Sequence, residues 1–236
     1  MTDLSAKRRV GILGGMGPEA TVFLMSRIIA MTPAHDDNDH VPLLVDNNTQ
    51  VPSRIKALIE GTGEDPGPVL VDMARKLEQG GAEALAMACN TAHHYAPLIQ
   101  AAVSIPLLNM VELTADAAAK SLGESGTNRV GVLASPAVQL TGLFDRYFGA
   151  RGLEIVYPSD SDALLACIKG VKARGDNPQS RQQLKRAAIE LHEAGVGVIV
   201  VGCSELSIIN DAVPAEFTMM DTLDVLAKAV VTFASS

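Results

Sequence analysis

The sequence predicts an α/β protein of two similar halves, each built on a mainly parallel sheet. Three observations carry that prediction. Short aliphatic runs alternate with longer helical patterns along the 236-residue chain, the order expected of strands joined by crossover helices. The runs are continuous rather than alternating in polarity, as in strands covered on both faces. Two pairs of segments also repeat: "RVGILGG" at 9–15 echoes "RVGVLAS" at 129–135, and "LEQGGAEALAMAC" at 77–89 echoes "LHEAGVGVIVVGC" at 191–203. In the second pair a glycine, Gly81 or Gly195, stands eight residues before the cysteine. A repeat of this size marks two copies of one supersecondary unit.

In chain order, "VGILGG" (10–15) reads as a buried strand and "PEATVFLMSRIIAM" (18–31) as the helix after it. "VPLLVD" (41–46) is a second strand, and 68–81 a helix closed by glycine. A strand over 83–89, a helix over 92–103, a strand over 105–110 and a helix over 113–123 complete the first series. The second runs from the strand at 129–135 through the segment "LTGLFDRYFGA" (140–150), a strand at 153–158, two helices spanning about 161–194 and the strand "GVIVVG" at 197–202. "FTMMD" (217–221) predicts a last short strand, and 222–234 a closing helix. Those last two elements follow the completed second half, so they are expected to cross back onto the first. That gives a first subdomain of 1–112 plus 213–236 and a second of 113–212. "PAHDDNDH" (33–40) and "EGTGEDPGP" (60–68) are polar loops.

Composition narrows the function classes. Hydrophobic residues make up 47% of the chain, enough for a substantial core. The net charge of -8 argues against a nucleic-acid binder, although a local basic pocket could still hold an acidic small molecule. Three cysteines are too few, and odd in number, for a disulfide framework. The start "MTDLSAKRRV" has no apolar signal region, and no apolar run reaches the roughly 18 residues a membrane span needs. A soluble protein in the reducing cytoplasm, free of membrane contact and with free thiols, is the expectation.

The duplication gives Cys89 and Cys203 the same setting, just after a strand and just before a helix. Ligands of open parallel sheets bind beyond the carboxyl ends of the strands. Two halves facing about a pseudo-twofold axis would therefore bring both cysteines to one cleft. A helix N-terminus there is expected to lower each thiol pKa. A thiolate and a thiol on opposite faces of a carbon can remove a proton from one side and return one to the other. Cys167, inside a helical pattern and without a matching copy, reads as a small buried hydrophobe. The Cys/His spacing does not suit a metal site. His93 and His94 adjoin Cys89, and a Cys–His nucleophile pair stays open as an alternative. So does a dinucleotide site, because Gly15, Gly17 and Ala20 fit G-x-G-x-x-A, with Asp46 somewhat far along for the acidic partner. A non-catalytic two-lobed binding protein is a third alternative.

"GILGGMGPEAT", "DNNTQVPSR", "ACNTAHH" and "GCSEL", in this order and spacing, resemble the aspartate/glutamate racemase family, its aspartate racemases in particular. The resemblance runs over nearly the whole chain. It implies two Rossmann-like α/β subdomains with the active site between them, commonly as a homodimer, racemising an amino acid without pyridoxal phosphate or any other cofactor. It assigns Cys89 and Cys203 as the catalytic pair. Asn90 and Thr91 then match contacts to the substrate's α-carboxylate or amino group, and Arg54 and Lys169 the cations that hold a side-chain carboxylate. Met16 and Gln50 are expected to line the cleft, and Glu205 to stand behind Cys203. Ser135 keeps a hydroxyl where many members carry a Thr-rich loop, but Pro136 is expected to reshape that turn. Aspartate is the favoured substrate, with glutamate, broad amino-acid, hydantoin or maleate chemistry as alternatives. A carbanion at Cα without an electron sink needs hydrogen-bond donors aimed at the carboxylate. Backbone N–H groups of the "GGMG" turn and of Asn90/Thr91 are candidates.

Overall fold

The protein is described by a computed structural model over residues 7–123 and 126–236; the first residues of the stretch read for a signal peptide lie outside the described residues. The first half runs β1 (Val10–Gly14), α1 (Pro18–Met31), β2 (Leu43–Asn47), α2 (Gly67–Gln79), β3 (Ala84–Met87), α3 (Ala96–Ala102), β4 (Leu107–Leu108) and α4 (Met110–Leu122). The second runs β5 (Arg129–Leu133), α5 (Pro136–Leu140), α6 (Leu143–Gly149), β6 (Glu154–Val156), α7 (Ser161–Arg174), α8 (Pro178–Glu193), β7 (Val198–Val201), α9 (Ser204–Ser207), β8 (Met219–Asp221) and α10 (Thr222–Ala234). Among the described residues the strands form two four-stranded sheets, ordered β2-β1-β3-β4 and β6-β5-β7-β8. Every pairing is parallel.

The repeated sequence has a packing reason. Gly11 on β1 and Gly131 on β5 stand at matching places in the echo. A Cβ on Gly11 would sit 3.0 Å from the Leu77 and Ala82 Cβ atoms, and one on Gly131 3.1 Å from the Leu191 Cβ. The helix that precedes each cysteine-bearing strand thus lies directly on a glycine of its neighbour. Gly81 and Gly195, at φ 89° and 76°, turn the chain out of α2 and α8 in the left-handed conformation that only glycine adopts freely. From there the chain enters β3 or β7, whose side chains are all buried.

Two of the differences from the pattern read in the sequence bear on the site and the cores. The predicted helix at 92–103 is a 3-10 turn (Thr91–Tyr95) followed by the shorter α3. The short strand expected beside the first half, β8, pairs with β7 and completes the second sheet. Only the helix after it crosses. Leu223, Leu226, Ala227 and Val230 of α10 pack with Val10, Ile12 and Ala86 of the first sheet. Reciprocally, Val111, Ala115, Ala118 and Leu122 of α4 pack with Val130, Val132, Val198 and Val200 of the second. Each half lends its last helix to the core of the other. We therefore propose that the cores divide at the start of α4, slightly ahead of the expected 112/113, and again ahead of α10, with β8 assigned to the second half.

Candidate active site

In each sheet the chain leaves its first strand (β1 or β5) to one side and returns on the other as β3 or β7. The carboxyl ends of those two strands flank the point where strand order reverses, the usual ligand crevice of an open α/β sheet. Met16 follows β1 and Cys89 follows β3; Ser135 follows β5 and Cys203 follows β7. All four line one small cavity of about 40 Å³, with Ser53, Arg54, Ile55, Thr91, Ile168, Lys172 and Glu205. A larger space of about 400 Å³ adjoins it, sharing Ser53, Arg54, Lys172 and Glu205 and bounded outside by Gly15, Gly17, Pro18 and Glu19.

The cysteines are 8% and 7% exposed, so each thiol meets the cavity over a small area. Cys89 is held from behind. The buried His93 ring bonds the Cys89 carbonyl through Nδ1 at 2.8 Å, and the Met110 N–H donates to its Nε2 at 3.1 Å. Accepting at Nε2 places the proton on Nδ1, so the imidazole is neutral and donates to Cys89. Burial lowers its pKa to about 4, against the opposing pull of the carbonyl bond. His93 thus anchors backbone, and His94 is exposed. Neither contact is the thiol–imidazole pair weighed from the sequence.

Cys203 is set differently. Its thiol donates to Glu205 Oε2 at 3.1 Å, while Glu205 Oε1 lies 3.2 Å from Lys172 Nζ. Glu205 is buried. Burial, and next the Glu205 carboxylate, push the Cys203 thiol well above its ordinary range. A helix N-terminus alone would move the thiol in the opposite direction, as expected from the sequence. The α9 helix has only four residues, too short to offset desolvation and an adjacent negative charge. Lys172 is held above its ordinary pKa: burial works against its charge, but Glu205, Cys203 and Cys89 together outweigh it.

Arg54 joins two loops of the first half. Its Nη1 donates to the carbonyls of Pro52 (3.0 Å) and Val51 (3.4 Å), and its Nη2 to that of Met16 (3.3 Å). A guanidinium fixed this way presents its remaining edge in one orientation. Across the cavity the Thr91 and Ser135 hydroxyls lie 3.2 Å apart, one from each half. Pro136 takes the first turn of α5, where its missing N–H and fixed φ suit a helix start. The turn therefore keeps Ser135 at the site.

Of the residues singled out in the sequence, Met16, Arg54, Cys89, Thr91, Ser135, Cys203 and Glu205 converge on the cavity. Gln50 does not: it is exposed, and its amide bonds to Thr49. Asn90 is buried behind the cavity wall, its amide donating to Thr222 at 2.9 Å. Lys169 is exposed on α7 away from the site. The lysine that reaches the cavity is Lys172, one helical turn further on. The readable signal was the buried stripe Leu164–Ile168, which Lys172 continues at the next i+4 step. Cys167 is buried between α7 and α8, its thiol donating to the Ser180 carbonyl at 3.2 Å, and burial lifts its pKa to about 11.

A sequence model of the Asp/Glu/hydantoin racemase family matches residues 13–230. The aspartate racemase of Picrophilus torridus superposes with a TM-score of 0.83 at 30% identity, covering 97% of this chain and 94% of that one. The broad-specificity amino-acid racemase RacX of Bacillus subtilis (strain 168) is 26% identical over 227 residues, 94% of this chain and 96% of the relative. A glutamate racemase of Francisella tularensis, solved with D-glutamate, shares the fold at 16% identity and a TM-score of 0.65, covering 96% of this chain and 81% of that one.

Proposed function

From the premise that the chain belongs to the Asp/Glu/hydantoin racemase family and is an isomerase of the racemase type, we propose that it interconverts L- and D-aspartate by a two-base mechanism, without pyridoxal phosphate. The observation that carries this reading is the meeting of Cys89 and Cys203, from matched strand ends of the two halves, at one cavity that also holds Arg54 and Lys172.

The geometry supports the following roles. Substrate Cα lies between the two sulfurs. One thiolate takes the α-proton and becomes a thiol, while the opposite thiol gives its proton to the other face and becomes a thiolate. The enantiomer is made and the pair is left with its charge exchanged, ready for the reverse reaction. Cys203 is held as the thiol by Glu205. The Lys172 ammonium beside Glu205 offsets the charge that appears when Cys203 gives up its proton. Charge developing on the α-carboxylate meets the paired Thr91 and Ser135 hydroxyls, which share one hydrogen bond and leave one proton free to donate. Arg54 and Lys172 hold the second carboxylate, in the role the resemblance had given to Lys169.

The test is α-proton exchange in D₂O with L-aspartate and no added cofactor, followed by NMR and by chiral chromatography. Exchange together with D-aspartate formation is the expected result. Absence of both for aspartate, glutamate and alanine would sink the reading. A broader amino-acid range is the second reading. The space of about 400 Å³ beyond Arg54 and Lys172 favours it, since a longer side chain could extend there. Turnover of several amino acids at comparable rates would select it.

A further inference from the structure

Both residues that flank Cys89 are tied to the other half of the molecule. The Ser204 hydroxyl, next to Cys203, donates to the Ala88 carbonyl at 3.1 Å. The Asn90 amide donates to the Thr222 hydroxyl at 2.9 Å, and that hydroxyl donates to the Val201 carbonyl at 3.0 Å. Ser204, Asn90 and Thr222 are all buried. Val201 ends β7, the strand that delivers Cys203. A continuous path of hydrogen bonds therefore runs from the Cys203 strand, through one hydroxyl, to the residue after Cys89.

That hydroxyl also sets a polarity. Thr222 has one proton, committed to Val201, so its oxygen must accept from its other partner. Asn90 thus turns its NH₂ to Thr222, which leaves its Oδ1 buried without a hydrogen-bond partner. Thr222 itself opens α10, whose first residues are fixed by the Asp221 cap. The clamp is built on the rigid start of a helix that packs on the first half.

We propose that the Thr222 hydroxyl, acting with that of Ser204, is a positioning group for racemisation: it fixes the Cys89 strand end relative to the Cys203 strand end. The proposal rests on the two-cysteine reading. Thr222 does not line the cavity and acts only through Asn90 and β7. Two-base transfer demands that both sulfurs address one carbon, and small misplacements of reacting groups are costly in rate. Arg54 and Lys172 are untouched by the clamp, so binding should be spared.

The experiment compares wild type, Thr222→Val, Thr222→Ser, Ser204→Ala and Cys89→Ser in aspartate racemisation, with circular dichroism and thermal unfolding of each. Valine keeps the branched shape and removes both bonds; serine keeps the hydroxyl. Thr222→Val should lower kcat about ten- to a hundredfold with KM within about twofold of wild type. Thr222→Ser should recover most of the loss, and Ser204→Ala should lower kcat in the same sense. A folded Thr222→Val protein with wild-type kcat overturns the proposal, as does failure of serine to rescue, or kcat and KM worsening in step. If the valine variant does not fold, wild-type kcat in Ser204→Ala overturns it. Inactive Cys89→Ser beside fully active Thr222→Val defeats the positioning role alone. Fully active Cys89→Ser defeats the cysteine mechanism and this proposal with it.

Discussion

Glu205 adds to burial in holding Cys203 as the thiol. After burial it is the largest influence holding that thiol protonated, and it accepts the S–H directly. Glu205→Gln removes the charge and keeps the shape, so the Cys203 pKa should fall while staying above that of a free thiol. Alkylation by iodoacetamide across pH, in a background lacking Cys89 and Cys167, reads this as an inflection moved to lower pH. An inflection unmoved or moved upward would show that burial alone sets the thiol. The cations separate as cleanly. Lys172→Ala should weaken aspartate turnover at least about tenfold, mainly through KM, while Lys169→Ala stays within about twofold. Steady-state kinetics with the two variants side by side decides the point. Most site residues were readable because they sit at strand ends, where the repeat fixes their place. Lys172 was not, because the position that faces the cleft depends on which stripe of α7 is buried, and the matched motif pointed one turn too early.

The elements behind the cysteines carry two buried titrating groups with opposite effects on stability. His93, between Cys89 and α4, has its folded pKa lowered from 6.5 to about 4, chiefly by burial. Its contribution is fully present above the unfolded value and is lost as pH falls through that window, on the order of 3 kcal/mol. Asp221 caps α10 and accepts from Ser207 and Asn210, at the far end of the α9 segment. Burial raises its pKa from 3.8 to about 6 against those hydrogen bonds. Its contribution is present below the unfolded value and is lost as pH rises towards 6. Between about pH 4 and 6 the two partly cancel. Asp221→Asn keeps a cap but removes the titration. Urea midpoints of that variant should therefore fall more steeply than wild type on acidification from pH 6 to 4; parallel curves would mean that Asp221 does not titrate there. The alternation of strands and helices was legible from local pattern alone. The pairing of β8 was not: a three-residue strand carries no period of its own, and its neighbour is chosen by packing far away in sequence.

At the scale of the whole molecule the two halves are not independent, although the repeat made them look so. The sequence signal for a repeat lies in the strands and the glycines beneath the helices. The crossing of α10 was legible because it follows a completed second half, whereas the placing of α4 in the second core leaves no such signal, since an apolar helix face reads the same whichever core receives it. The exchange has an energetic consequence. Leu226 of α10 is fully buried among Val10, Ile12 and Ala86 of the first sheet, yet its helix starts from β8 of the second. Leu226→Ala should cost about 2–5 kcal/mol. For a chain of this size, about 3 kcal/mol corresponds to a Tm lower by roughly 6–12 °C. The loss should appear as one cooperative transition, with calorimetric and van't Hoff enthalpies equal, because unfolding the first core releases the helix that follows β8. Thiol labelling sharpens the test: Cys203, though in the second half, should become reactive at the same denaturant midpoint as Cys89. Two transitions, with only the earlier one moved and Cys203 protected through it, would mean that the halves stand alone. A shared transition would mean that a cleft closed by both halves exists only while both cores are intact, so racemisation should disappear with the first measurable unfolding.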